Sequence, residues 1–329
     1  MNHIGVIGGG AWGTALAASA VRAGRRVTLW ALEPEVVGGI NRDHENTLFL
    51  PGVALDPALR ATGDMEEAAA ADAVLLVCPA QHMRAVSAQV VDAGADAPLV
   101  ICAKGIEQKT LQLMSDVLAD TAPGMDVAVL SGPTFAGELA RNLPTAVTLA
   151  AGDDGLAGAL ISALGHNRFR PYQSGDVIGA QIGGAVKNVL AIASGIVAGA
   201  RLGDNASAAL ITRGLAEIMR LGEALGAQRE TLMGLSGLGD LVLTCGSTQS
   251  RNMSLGKALG EGRTLAEVLG ERRSVAEGVF TASGVAALAA RHRIEMPICA
   301  AMDRVLNHGA AVADEIEGLL SRPFRAETV

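Results

Sequence analysis

Gly8-Gly9-Gly10-Ala11-Trp12-Gly13 is the stretch that decides the fold, and its meaning comes from what stands on either side of it. Ile4–Ile7 before it is short and apolar, and Trp12–Ala23 after it is Ala-rich, reads as a helix, and is followed by Gly24 as a natural C-cap. Between a buried strand and a helix, each glycine of a GxGxxG pattern has a task. Gly8 makes the tight turn, Gly10 lets the backbone approach a pyrophosphate, and Gly13 lets the helix pack closely on the strand. The free amides at the helix N-terminus then receive the negative charge. The pattern alone is weak; in this strand–turn–helix setting it predicts a site for NAD or NADP.

The same theme recurs through the first half. Val27–Trp30, Ala73–Cys78, Leu99–Ala103, Val127–Leu130 and Ala146–Ala150 are apolar runs without strict alternation, which suits parallel strands covered on both faces. Ala-rich stretches such as Leu111–Asp120 supply the crossovers. The expectation is an α/β chain whose N-terminal domain is a Rossmann-type doubly wound sheet. From Val177 onward the strand signal ends. Ala180–Ala200, Ala206–Leu225, Leu255–Leu259, Leu265–Leu269, Thr281–Arg291 and Met296–Leu306 read as helices. The predicted division is a dinucleotide-binding domain, 1–178, and a mainly α-helical substrate and catalytic domain, 179–329. The break falls in the Gln173–Gly179 region, where Ser174-Gly175-Asp176 interrupts both patterns.

Bulk properties narrow the options. A chain of 329 residues exceeds one ordinary core, so two domains are natural. Aromatics are 2%, so the cores must be built from Ala, Val, Leu and Ile. A net charge of −8 without basic runs argues against nucleic acid as a partner. It does not exclude an anionic small molecule, because a few Lys and Arg can reverse the field of one pocket. The four cysteines form no CxxC pair and read as buried thiols in a reducing compartment. The six histidines have no ligand spacing, so no metal is expected. Ile182–Ala200 has the length of a membrane span but carries Lys187 and Asn188. A charge in a bilayer costs about 2.5–3.5 kcal/mol, so a buried helix is expected instead. Met1-Asn2-His3 runs straight into a strand with no signal-peptide pattern, and a cytoplasmic location is expected. Oligomeric state stays open, a homodimer being one option.

Ligands of such sheets bind outside the carboxyl ends of the strands. Those ends read Pro79-Ala80-Gln81, Lys104-Gly105 and Gly132-Pro133-Thr134. Lys104 therefore stands over the crevice, unless it is simply solvated. Lys187 interrupts an apolar helix, so its ammonium either snorkels to water or is desolvated; desolvation lowers its pKa and suits it to proton transfer near neutral pH. Asp240, in the glycine-rich 234–240 segment, calls for a specific partner, with Lys187 the candidate, or else caps a helix. Ser250 or Asn252 would cap the helix that follows them. The Arg251 fork between them suits phosphate.

These segments resemble, in order and over almost the whole chain, the bacterial-type NAD(P)-dependent glycerol-3-phosphate dehydrogenases. The likeness rests on Gly8–Leu16, Lys104-Gly105, 130–136 (LSGPTFA), Ala185-Val186-Lys187-Asn188, Gly237–Leu241, Ser250-Arg251-Asn252, Val275-Ala276-Glu277-Gly278 and the tail 322–327. The resemblance implies reversible reduction of dihydroxyacetone phosphate to sn-glycerol 3-phosphate, at the start of phospholipid synthesis. It implies Lys187 as proton donor and acceptor. Lys104, Gly132, Thr134, Lys187, Asp240, Ser250, Arg251 and Asn252 would line the substrate site. Gly8, Gly10, Ala11, Trp12, Gly13, Lys104, Ala136, Arg251, Val275 and Glu277 would contact the cofactor. Many members carry a basic residue after the second strand, favouring the NADP 2′-phosphate. Here Trp30-Ala31-Leu32-Glu33 has no cation before Arg42, so NADH is expected to serve at least as well as NADPH. Two other classes share the general pattern: a two-domain hydroxyacid or ketopantoate-type dehydrogenase, and a non-catalytic module that senses dinucleotide redox state.

Overall fold

The computed structural model describes residues 1–271, 276–324 and 326. Eight strands make one sheet: β1 (His3–Ile7), β2 (Arg26–Trp30), β3 (Arg60–Thr62), β4 (Ala73–Leu76), β5 (Leu99–Ile101), β6 (Val127–Ser131), β7 (Thr145–Ala151) and β8 (Phe169–Ser174). Their spatial order is β3-β2-β1-β4-β5-β6-β7-β8, with β1 to β6 parallel. The order reverses between β1 and β4, so the glycine loop that follows β1 opens at the switch point. The strands β1 and β4 are buried along their whole length, which explains the apolar runs Ile4–Ile7 and Ala73–Leu76 within them.

Three features depart from the sequence reading. The strand β7 runs antiparallel to β6. The only helix between them, Ala136–Ala140, has five residues and spans about 7.5 Å. That is less than half the length of β6, roughly 17 Å, so the chain is not carried back to the starting edge. The strands β3 and β8 carry no apolar run and were not expected. Both lie at sheet edges, where one flank meets solvent. An edge also tolerates Pro171 within β8.

Helix α1 (Ala11–Arg22) follows the glycine loop; Gly24, at φ +80°, sits just past its end and turns the chain into β2. The later helices that matter here are α2 (Val177–Gly199), α3 (Asp204–Ala224), α4 (Asp240–Cys245), α5 (Arg251–Gly260) and α6 (Glu277–His292). The Asp176 carboxylate caps α2, accepting from the Gly179 amide at 2.7 Å. Of the most apolar stretch of α2, 94% is buried inside the protein, so this helix is the pillar of the helical core. Its seam with α5 is backbone against backbone: a Cβ at Gly256 would fall 1.9 Å from the Ile192 carbonyl oxygen. That contact brings the start of α5 beside Lys187 and Asn188. Ile106 and Leu113, from the segment after β5, pack inside the helical core and join it to the sheet. All four cysteines are free and buried.

Candidate active site

At the switch point the glycines behave as their spacing predicts. Gly8 has φ +130°, a conformation L side chains rarely adopt, and a Cβ at Gly13 would lie 1.8 Å from the Gly8 carbonyl oxygen. Gly10 is the N-cap of α1, and a Cβ there meets nothing within 4 Å. A backbone open on that side, with the first amides of a 12-residue helix behind it, fits a pyrophosphate. Ala11 is the first residue of α1, and Ala136 opens the short helix that packs against it, with Arg22 bonded to the Leu139 carbonyl. Trp12 has a different contact: its indole N–H donates to the Cys102 carbonyl at 3.3 Å, bracing the end of β5 just before Lys104. Asn46 escaped the sequence reading. Its buried amide donates to the Gly9 carbonyl and to Thr14 Oγ1, both at 2.8 Å, and holds the loop rigid.

Across the crevice, Asp240 is fully buried at the start of α4 and binds two lysines. Lys104 Nζ donates to its Oδ2 at 2.5 Å, and Lys187 Nζ to its Oδ1 at 3.0 Å. Lys104 also donates to the Gly132 carbonyl at 3.0 Å, and Lys187 to Thr244 Oγ1 at 2.8 Å. Burial pulls the Lys187 ammonium below the usual lysine range, with Asp240 opposing that pull and Lys104 adding to it. Burial would raise the Asp240 carboxyl, but the two lysines outweigh it and hold the group below the usual carboxylate range. The pair is therefore asymmetric. Asp240 has Lys104 as a second partner on its other oxygen.

The geometry therefore meets the expectation that Asp240 has a specific partner, and adds Lys104, which had not been paired with it. Thr244, one helical turn beyond Asp240, was also missed; its spacing of four on α4 is the signal that could have found it.

Ser250 caps α5, its Oγ accepting from the Met253 amide at 3.2 Å. Asn252 is not a cap. It lies buried within α5, donating from Nδ2 to Asn188 Oδ1 at 2.9 Å and accepting the Gly278 amide on Oδ1 at 3.1 Å. Arg251 is exposed at the first position of α5. Glu277 opens α6; burial raises its pKa, against the pull of Arg251 and then Lys187. Val275 lies outside the described residues. Ser131, Thr134 and Ser236 each hold a buried hydroxyl with no hydrogen-bond partner among the described residues. Ser131 belongs to the same cluster, since a Cβ at Gly184 of α2 would approach both its Oγ (2.8 Å) and Lys104 Cγ (3.3 Å).

Direct bonds thus join Lys104, Gly132, Lys187 and Asp240; Asn252 bonds to Asn188, the chain neighbour of Lys187, and Ser250 precedes Asn252 on the same turn. A surface hollow of about 440 Å³ beside Pro98 and Asp126 sits at the amino ends of β5 and β6, the wrong edge of the sheet for a ligand of this fold.

A glycine loop opening a helix at the switch point, facing a buried lysine pair on a carboxylate, is the arrangement of a two-domain nicotinamide-dependent dehydrogenase. The family model described as NAD-dependent glycerol-3-phosphate dehydrogenase N-terminus matches residues 3–157, and its C-terminus counterpart matches 176–317. A glycerol-3-phosphate dehydrogenase [NAD(P)+] of Parvibaculum lavamentivorans is 61% identical over 99% of this chain and 98% of its own length. That of Rhodospirillum rubrum is 65% identical over 99% and 94%. The crystal structure of a glycerol-3-phosphate dehydrogenase from Coxiella burnetii superposes with a TM-score of 0.93 at 39% identity, covering 98% of this chain and 99% of that one. A ketopantoate reductase family structure from Ralstonia eutropha, at 17% identity and TM-score 0.61, shares the fold alone. This chain belongs to the NAD-dependent glycerol-3-phosphate dehydrogenase family.

Proposed function

We propose that this chain reversibly reduces dihydroxyacetone phosphate to sn-glycerol 3-phosphate with NADH or NADPH, feeding glycerophospholipid synthesis. The observation that carries the reading is the buried Lys104–Asp240–Lys187 triad across from the glycine loop. A dinucleotide held at the glycine loop would supply the hydride that reduces the substrate's carbonyl carbon. Negative charge then grows on the carbonyl oxygen, where Lys187 stabilises it and donates the proton. Asp240 orients Lys187 through Oδ1 while Lys104 holds its other oxygen. In the oxidative direction neutral Lys187 accepts the hydroxyl proton.

Arg251, Ser250, Asn252 and the amides that open α5 are suited to the phosphate, which is how a chain of net charge −8 holds a dianion. Thr134, whose buried hydroxyl has no partner among the described residues, supports a role on the substrate side. Gly8, Gly10, Ala11, Trp12, Gly13, Ala136, Lys104, Arg251, Val275 and Glu277 would face the cofactor. In this reading residues 1–178 hold the dinucleotide and 179–329 the reacting end of the substrate. The buried reduced thiols support a cytoplasmic location. A homodimer would find a surface hollow of about 460 Å³ whose lining mixes Leu215, Met219 and Met233 with Arg213, Arg229 and Glu230; sedimentation velocity separates it from a monomer.

The deciding experiment is dihydroxyacetone phosphate reduction followed by the loss of reduced-nicotinamide absorbance, with 2-keto acids in parallel. Turnover of the ketose phosphate alone supports the reading, and turnover of 2-keto acids alone overturns it.

A further inference from the structure

The peptide bond between Gly9 and Gly10 is the softest point of the glycine loop. Neither residue carries a side chain, so the plane that joins them can rotate by half a turn at little steric cost. In a trans peptide the carbonyl and the following N–H point opposite ways. Such a rotation would exchange the Gly10 N–H for the Gly9 oxygen on the side that meets a pyrophosphate, turning attraction into repulsion.

Two buried side chains hold the Gly9 oxygen inward. Asn46 Nδ2 donates to it at 2.8 Å and to Thr14 Oγ1 at 2.8 Å, and the Thr14 hydroxyl donates to the same oxygen at 3.4 Å. Thr14 is 0% and Asn46 1% exposed, so water does not compete for these bonds. The Asn46 carboxamide is itself fixed. The Phe49 amide can only donate, so the atom facing it at 3.1 Å must be the oxygen, and the NH₂ is thereby turned to Gly9. The Leu50 amide, bonded to the Asn46 carbonyl at 2.8 Å, closes the turn that carries this side chain. On the opposite side of the peptide plane, the Gly10 N–H donates to no group among the described residues.

We infer that Asn46 is a positioning residue for the dinucleotide: it latches the Gly9–Gly10 peptide in the orientation that offers an N–H, and not an oxygen, to the pyrophosphate. Glycines let this loop come close to a phosphate, and the latch removes the conformational freedom that they bring with them. The inference deepens the dehydrogenase reading and rests on its assignment of the glycine loop to the cofactor.

Asn46→Leu is the informative change, because leucine has nearly the same shape and no polar hydrogen. ADP-ribose carries the pyrophosphate and adenosine lacks it, so their dissociation constants, measured by titration calorimetry, separate the latch from general damage to the nucleotide site. Where the flipped peptide outnumbers the latched one by about ten to one, apparent affinity falls by that factor. We expect ADP-ribose and NADH to bind on the order of tenfold more weakly, and adenosine to stay within about twofold of the parent. The KM for NADH should rise while kcat on dihydroxyacetone phosphate at saturating NADH holds within about twofold, as for a loss of uniform binding.

Asn46→Asp keeps an oxygen for Phe49 but sets a carboxylate against the Gly9 oxygen, and should weaken ADP-ribose further than Asn46→Leu does. The latch is overturned if only Asn46→Asp weakens ADP-ribose, since that loss is charge repulsion, or if Asn46→Leu weakens ADP-ribose and adenosine equally. Asn46→Ala, which lets water reach Gly9, serves if the Leu variant does not fold; the same split between the two ligands decides it. The parent's own affinity for ADP-ribose tests the cofactor site separately, because the latch is judged only from ratios of variant to parent.

Discussion

Replacing Lys187 with methionine separates catalysis from folding. Lys187 is 7% exposed, and its ammonium is bonded to Asp240 Oδ1 and Thr244 Oγ1. The methionine chain fills nearly the same volume. Asp240 does not become an orphan, because Lys104 stays on its other oxygen at 2.5 Å. Hydrogen bonds worth about 1.5–3 kcal/mol apiece are lost, and the cost of burying the ammonium disappears with them. The melting temperature should therefore move by only a few degrees, at roughly 2–4 °C per kcal/mol.

The rate should respond quite differently. General acid catalysis contributes typically 10²–10⁴-fold, and the same ammonium stabilises the developing alkoxide. Loss of both through one group should lower kcat on the order of 10⁴-fold, roughly 5 kcal/mol of barrier. Steady-state reduction of dihydroxyacetone phosphate gives kcat, and quenching of protein fluorescence gives the NADH dissociation constant, which should change little. Asp240→Asn is the counterpart. It leaves two ammonium groups around a neutral amide in a fully buried position, and should destabilise the protein by about 3–5 kcal/mol. A folded Lys187→Met enzyme retaining kcat within about tenfold of wild type would falsify the assignment of Lys187 as proton donor.

Burial lowers the Lys187 pKa, so its protonated form is lost below the ordinary lysine range. Reduction, which needs the ammonium, should fall as pH rises through that lowered pKa, while oxidation, which needs the amine, should rise through it. Asp240 opposes the lowering, so any residual activity of Asp240→Asn should show both limbs displaced to lower pH; displacement to higher pH contradicts the argument. Arg251→Lys exchanges a planar fork for a point charge and should raise KM for dihydroxyacetone phosphate roughly tenfold, about one charge-assisted hydrogen bond. An equal proportional loss on unphosphorylated dihydroxyacetone would show that Arg251 does not read phosphate. After β2, Leu32 is 75% exposed, Glu33 occupies an N-cap position without a side-chain cap bond, and Arg42 Nε donates to the Gly38 carbonyl at 3.3 Å. With the Glu33 carboxylate beside the end of β2 and Arg42 bonded to Gly38, NADH should serve at least as well as NADPH. Leu32→Arg should shift preference toward NADPH; a strong NADPH preference in the unmodified chain refutes this.

The sequence by itself determined whatever rests on local pattern. Unbroken apolar runs showed strands covered on both faces. The spacing of Gly8, Gly10 and Gly13 announced a turn, an open backbone and a close helix contact, each of which is a property of a few consecutive residues. A lone Lys187 in an apolar helix and a lone Asp240 among glycines and leucines called for partners because buried charge is costly. The tertiary structure decided who those partners are. Lys104 and Asp240 are 136 positions apart and Lys187 and Asp240 are 53 apart, so no local spacing ties them. Asn46 reaches the glycine loop from 32 residues beyond Thr14, and Asn252 reads as a cap until Gly278, 26 residues on, claims its oxygen. The direction of β7 was likewise invisible, since parallel and antiparallel strands of equal burial have the same composition, and only the reach of the Ala136–Ala140 helix separates them. Burial and turn chemistry act on neighbours in the chain and are written there. Hydrogen-bond partners and strand direction follow from how distant elements close on one another, and they exist only once the two cores have packed.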